Sequence, residues 1–218
     1  MLFIGRTYAK MNIFTLYYSP TYTNMSNSTF LSPRYKIVEY QDASKEVKAI
    51  YDDTMKTFQL PFVLNWFKCQ GSNATLLHGN WTKLKSTLVM GEIPNVLKQL
   101  IIYNVSKIRN CKYCATAHGI FADSMSSMIS NEENFKVTQD LDSSLIPESY
   151  KTALSIVTKA ALEPSQVSDE DFASLDAAGY DADEIQELMA QADLVNMLNT
   201  LADVSGIQVD NELIEAKA

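Results

Sequence analysis

The sequence predicts an all-α fold: a single helical domain whose two helical halves share one core. Three observations predict it. Apolar residues recur at three- and four-residue spacing in one segment after another. Helix-start and helix-stop residues bracket those segments. No run of β-branched and aromatic residues alternates with polar ones between turn signals. With 218 residues and 46% apolar content, the chain can bury a substantial core.

Residues 1–33, ending "SPTYTNMSNSTFLSP", lack either periodicity and read as an irregular N-terminal arm, within which Met11 and Met25 offer alternative starts. The helical domain is expected over 34–218. Its first helix is "DASKEVKAIYDDTMKTF", with Asp42 or Ser44 as N-cap and Val47, Ile50, Tyr51 and Met55 on one face. "LPFVLNWFKCQG" is a short apolar segment closed by Gly71, and "SNATLLHGNWTKLKSTLVMG" is a helix ending at Gly91. "IPNVLKQLIIYNVSKIRN" starts near Pro94 and places Leu97, Leu100, Ile101, Val105 and Ile108 on one face; Ile102 and Tyr103 make it a largely buried helix. "NCKYCATAHGIFADSMSSM" continues as a helix, and the polar "NEENFKVTQDLDSS" separates the halves. The second half has helices opening at Pro147, at Ser168 with a stop at Gly179, and at Asp181, paired with Glu184 as a capping box.

The net charge of -8, from 26 acidic and 18 basic residues, supplies no basic patch for a phosphate backbone, so no nucleic-acid partner is expected. No apolar run approaches the roughly 18–20 residues of a membrane span, and Arg6 and Lys10 interrupt the N-terminal stretch, so neither a membrane segment nor a signal peptide is expected. Three cysteines make no disulfide framework; a close pair plus one more suggests a reducing compartment, the cytoplasm.

Residues 110–119, "NCKYCATAHG", concentrate the chemistry. Cys111 and Cys114 are three apart and His118 is four further on, so in a helix beginning near Asn110 all three share a face. A thiolate is the nucleophile, and a helix N-terminus and an adjacent imidazole both favour its formation. Buried cysteines often serve only as small apolar side chains, but clustering with a histidine argues for reactivity. Zinc needs four ligands and this spacing supplies three; His78 or Cys69 would have to be the fourth. Haem attachment needs a histidine where Ala115 stands, and a thioredoxin-like site needs a βαβ setting. A dithiol in a helical scaffold remains. His78, beside Trp81, and Cys69, without a nearby base, read as packing or surface residues; Tyr113 either shields the pair or donates its hydroxyl proton to a peroxide oxygen.

"CKYCATAH" after the long apolar helix "NVLKQLIIYNVSKIRN" resembles the alkylhydroperoxidase D-like group of the carboxymuconolactone decarboxylase family, in particular its peroxidase-related branch. "VSDEDFASLDAAGYDADEIQELMAQADLVNMLNTLADVSGI" resembles that branch's C-terminal half, so the likeness covers roughly residues 36–208. The resemblance implies an all-α fold in a homo-oligomer, a trimer or hexamer. It also implies a thiol-dependent peroxidase or disulfide reductase acting on organic hydroperoxides in antioxidant defence. Cys114 would be the peroxidatic cysteine, Cys111 the resolving one, and His118 part of a proton relay. The family's relay uses a glutamate twelve residues before the first cysteine, where this chain has Gln99. A neutral amide can orient His118 but cannot take a proton, which bears on the rate.

Neither cofactor nor metal is implied; the dithiol is expected to be restored by an external dithiol, a lipoyl-type reductant protein or a peroxiredoxin partner. Electrostatics alone makes Cys111, nearer the helix N-terminus, the more acidic thiol, whereas His118 lies one turn ahead of Cys114. The base and the resemblance favour Cys114 for attack on peroxide. Two rivals stand beside this reading: a redox sensor or oligomeric binding protein turning over weakly because of Gln99, and a lactone decarboxylase, whose chemistry uses no dithiol.

Overall fold

In the computed structural model of the chain, residues 33–215 are described; the expected arm lies outside them except for Pro33. Local sequence signals start most helices. The Ser44 hydroxyl accepts the Val47 N–H at 3.3 Å and opens α1 (Lys45–Phe58), which buries Val47, Ile50, Tyr51 and Thr54. The apolar segment that follows holds a one-turn helix, α2 (Asn65–Lys68), which buries Trp66 and Phe67. Asn73 caps α3 (Ala74–Leu84) by accepting the Leu76 N–H at 3.0 Å.

The expected run to Gly91 differs in detail. The chain passes from α3 into a π-helical turn, Lys85–Val89, and Gly91 lies outside it at φ 96°. The reason is Glu187, whose carboxylate sits 2.3 Å from where a Cβ of residue 91 would stand. It accepts the Glu92 N–H at 2.9 Å and the Ile93 N–H at 3.3 Å, and pairs with the fully buried ammonium of Lys98. The turn is thus built around a carboxylate from the second half of the chain.

Pro94 leads into α4 (Asn95–Ile108), where Val96, Leu97, Leu100, Ile101, Ile102 and Val105 are fully buried. Ile108, expected on the same face, is 57% exposed because it is the last helical residue, where neighbours no longer cover it. Three residues turn the chain into α5 (Lys112–Ser124), with Asn110 in the left-handed region at φ 59°. Gly119 of α5 permits close approach to α4: a Cβ there would stand 3.1 Å from the Tyr103 ring.

The second half supplies α6 (Glu148–Leu162), α7 (Asp169–Ala177), α8 (Ala182–Ser205) and α9 (Asn211–Glu215). The helices open at Ser168 and Asp181 as expected: the Asp181 N–H donates to Glu184 at 2.9 Å, and at Ser168, where no acidic partner was expected, the N–H donates to Asp171 at 2.8 Å. Gly206 ends α8 in the left-handed region. Helix α4 packs against α5, α6 and α8, so residues from both halves enter one apolar core. Among the described residues there is no strand, and no helix is long and apolar enough to cross a membrane.

Candidate active site

The α4–α5 hairpin brings Gln99, Cys111, Cys114 and His118 together, and all four are buried. The cysteines are not placed as a uniform helix would place them. Cys111 is the N-cap of α5, with extended backbone, and the helix begins at Lys112, two residues later than Asn110. Both sulfurs are unbonded thiols. Cys111 donates to the Asn199 carbonyl of α8, with sulfur and oxygen 3.9 Å apart. The Cys114 thiol is pushed well above the ordinary cysteine range, first by its hydrogen bond with Cys111, then by burial, then by negative charge at Cys111 and Asp203. In this geometry the proton stays on Cys114 until a base removes it.

The sequence pointed to His118 as that base. Its Nδ1 lies 2.6 Å from Gln99 Oε1. An amide oxygen only accepts, so the ring carries its proton on Nδ1, and Nε2 is left as the acceptor. Gln99 therefore fixes the tautomer, as expected of a neutral amide. Burial pulls His118 down to about 3, so the ring is neutral at physiological pH and a weak base.

Cys114, His118, Gln99 and Tyr113 line one small cavity of about 30 Å³ with Trp66, Phe67, Leu84, Leu88, Ala117 and Leu198; the half-buried Phe58 and Phe121 also line it. That volume holds a water-sized guest, since one water needs roughly 10–15 Å³ by this measure. Anything larger than hydrogen peroxide enters only if the aromatic wall moves.

Tyr113, read from the sequence as either a shield for the pair or a proton donor to peroxide, has partners of its own at rest. Its hydroxyl donates to Asp210 Oδ2 at 2.8 Å and accepts the Trp66 N–H at 3.3 Å, so its one proton points at a carboxylate. Asp210 Oδ1 accepts the Asn65 N–H at 2.7 Å. Burial pushes the Asp210 carboxyl above the usual range, and burial beside that carboxylate pushes Tyr113 well up. Sequence reasoning missed Asp210, because 97 residues separate it from Tyr113 and no motif surrounds it.

The remaining candidates lie elsewhere. His78 is exposed in an open groove with Asp53, Trp81 and Lys85 and does not line the dithiol cavity. Cys69 donates to the Trp66 carbonyl at 3.3 Å, and burial takes its thiol to about 11, as for a packed core residue. Among the described residues no three His, Cys, Asp or Glu side chains gather where they could hold a metal ion.

No protein-family model and no curated protein matches this sequence. Solved structures do match. An alkylhydroperoxidase AhpD core, an uncharacterized peroxidase-related protein from Ralstonia eutropha JMP134, superposes with a TM-score of 0.72 at 17% identity, over 83% of this chain and 94% of its own. An uncharacterized peroxidase-related protein from Silicibacter sp. TM1040 gives 0.63 at 18%, over 78% of this chain and 87% of its own. A debrominase in complex with 2,3,4-tribromopyrrole gives 0.66 at 18%, over 88% and 97% respectively. At such identities architecture is what is shared: the chain has the all-helical alkylhydroperoxidase D-like fold.

Proposed function

We propose that the protein is a thiol-dependent peroxidase or disulfide reductase that reduces hydroperoxides through Cys114 and Cys111, in antioxidant defence. The carrying observation is the shared cavity: Cys114, a histidine with a fixed tautomer and its orienting amide line one small, mostly apolar space, with Cys111 hydrogen-bonded to Cys114 beside it. The Cys114 thiolate attacks the O–O bond, forming an S–O bond and expelling an alcohol or water. The sulfenic acid then condenses with Cys111 to a disulfide and releases water. An external dithiol, carried by a small molecule or a lipoyl- or peroxiredoxin-type protein, returns the pair to thiols. The working form is a homo-oligomer, trimer or hexamer, in a reducing compartment.

Mass spectrometry after one equivalent of hydrogen peroxide or cumene hydroperoxide tests the reading. A loss of two hydrogens, mapped to a Cys111–Cys114 disulfide, is expected, and a protein left as two thiols refutes it. The aromatic wall of Phe58, Trp66, Phe67 and Phe121 supports a second reading, reduction of a halogenated aromatic by the same dithiol. It predicts halide release from a bromopyrrole with the same loss of two hydrogens.

A further inference from the structure

His118 is a weak base and Gln99 takes no proton, so the cavity needs another group to accept the Cys114 proton. Asp210 is the one buried carboxylate among the described residues, at 2% exposure, and its hydrogen bond ends on a side chain that lines the same cavity as Cys114. We propose that Asp210, acting through the Tyr113 hydroxyl, takes the Cys114 proton and returns it to the leaving oxygen, the role Gln99 cannot fill. This rests on the thiol-peroxidase reading above.

The hydrogen bonds give Tyr113 the character of a relay. Its oxygen carries one proton, directed at Asp210, and has two acceptor sites, one taken by the Trp66 N–H. The free site can receive a proton from the cavity, directly or through one water, for which the cavity has room. Tyr113 is held far from ionising, so it passes protons on and stores no charge, whereas the raised Asp210 carboxyl holds a proton more readily than an exposed one.

Around this pair stand Lys68 on α2, whose charge favours the ionised carboxylate, and Cys114 on α5, whose negative charge as a thiolate acts on Tyr113. Lys68 is itself paired with Glu39 at 3.0 Å. The Asp210 backbone carbonyl accepts the Leu213 and Ile214 N–H groups, so the main chain holds the residue in place independently of its side chain.

The step balances without a further reactant. The Cys114 proton moves to the Tyr113 oxygen while the Tyr113 proton moves to Asp210, leaving a thiolate and a neutral carboxyl. The thiolate attacks the nearer peroxide oxygen; an S–O bond forms, the O–O bond breaks, sulfur loses two electrons and the peroxide gains them. The departing oxygen takes the Tyr113 proton, and Asp210 refills Tyr113 and is again ionised. Asp210 is a positioning residue in this scheme, since it never touches the reacting atoms.

Stopped-flow oxidation of the reduced protein by excess hydrogen peroxide, followed from pH 5 to 9, tests it in wild type, Tyr113→Phe, Asp210→Asn and the double variant. Each single variant is expected to lose about a hundredfold or more at pH 7, from the low end of what a positioned acid–base group contributes. Both should lose the same limb of the pH profile, and the double variant should be no slower than the slower single one, as for groups acting as a unit. Asp210→Glu should recover part of the rate. Thiol exchange of the oxidised proteins with dithiothreitol reports whether the fold and access are intact. If Asp210→Asn fails to fold, Tyr113→Phe carries the same pH-profile test.

Variants that keep the wild-type profile and rate within twofold, or losses that multiply in the double variant, overturn the inference and leave the peroxidase reading standing. A wild type that forms no disulfide with peroxide overturns both.

Discussion

Replacing Gln99 with glutamate puts a carboxylate oxygen where the amide oxygen now lies, 2.6 Å from His118 Nδ1. Two unit charges at about 4 Å in a medium of effective dielectric near 20 attract by about 4 kcal/mol. At 1.36 kcal/mol per pKa unit, that is roughly a thousandfold in the His118 ionisation constant. His118, now at about 3, would move towards about 6. The new carboxylate must also be buried, at a position only 6% exposed, so the full thousandfold is an upper bound. A base brought nearer to neutral collects a proton more often, and the expected gain in the rate of Cys114 oxidation at pH 7 is about tenfold or more. Stopped-flow tryptophan fluorescence with hydrogen peroxide reads it, since Trp66 lines the cavity beside Cys114. An acid limb should also appear near pH 6 that wild type lacks. A Gln99→Glu protein that folds, oxidises at the wild-type rate and shows no new limb refutes the argument that Gln99 leaves His118 underpowered.

Two further outcomes concern stability. His118 is lowered on folding, from the ordinary value near 6.5 to about 3, so between those values the unfolded chain binds a proton that the folded chain does not. Stability contributed by this group is therefore complete above about pH 6.5 and falls with pH below it, with a slope approaching ~1.4 kcal/mol per pH unit. Urea midpoints from pH 7 to 4 should show the fall, and His118→Leu should flatten it; an unchanged slope in that variant removes the assignment. Glu187→Ala strands the fully buried Lys98 ammonium and the Glu92 and Ile93 N–H groups, so a loss of about 3–5 kcal/mol is expected in urea unfolding. A loss below about 1 kcal/mol would mean that the Met90 carbonyl, 2.5 Å from Lys98 Nζ, suffices alone.

Much of the architecture could be read locally. Ser44, Ser168 and Asp181 announce their helices because a capping side chain acts within three residues of itself, and the apolar spacing in α4 repeats at the helix period. The hairpin site was legible for the same reason, since Gln99 to His118 is one contiguous stretch. What escaped depends on distant chain. Gly91 is set by Glu187, the register of Cys111 is completed by the Asn199 carbonyl, and Tyr113 is turned by Asp210; none leaves a mark in neighbouring residues. The α2 turn escaped because four helical residues carry no period to detect.

The hairpin's locality also sets an order of events as the chain is made. The twenty residues from Gln99 to His118 leave the ribosome before α6 and α8, against which α4 buries its apolar face. The N-terminal wall of the cavity, Phe58 to Leu88, is made first, whereas the Asn199 carbonyl that receives Cys111 and the Asp210 carboxylate that receives Tyr113 come later, Asp210 92 residues beyond His118. At about 5–20 residues per second, translation takes roughly 5–20 s to supply them. For that interval Cys111 and Tyr113 lack their partners, so the thiols meet the surrounding medium before the second half of the chain is there to fix them.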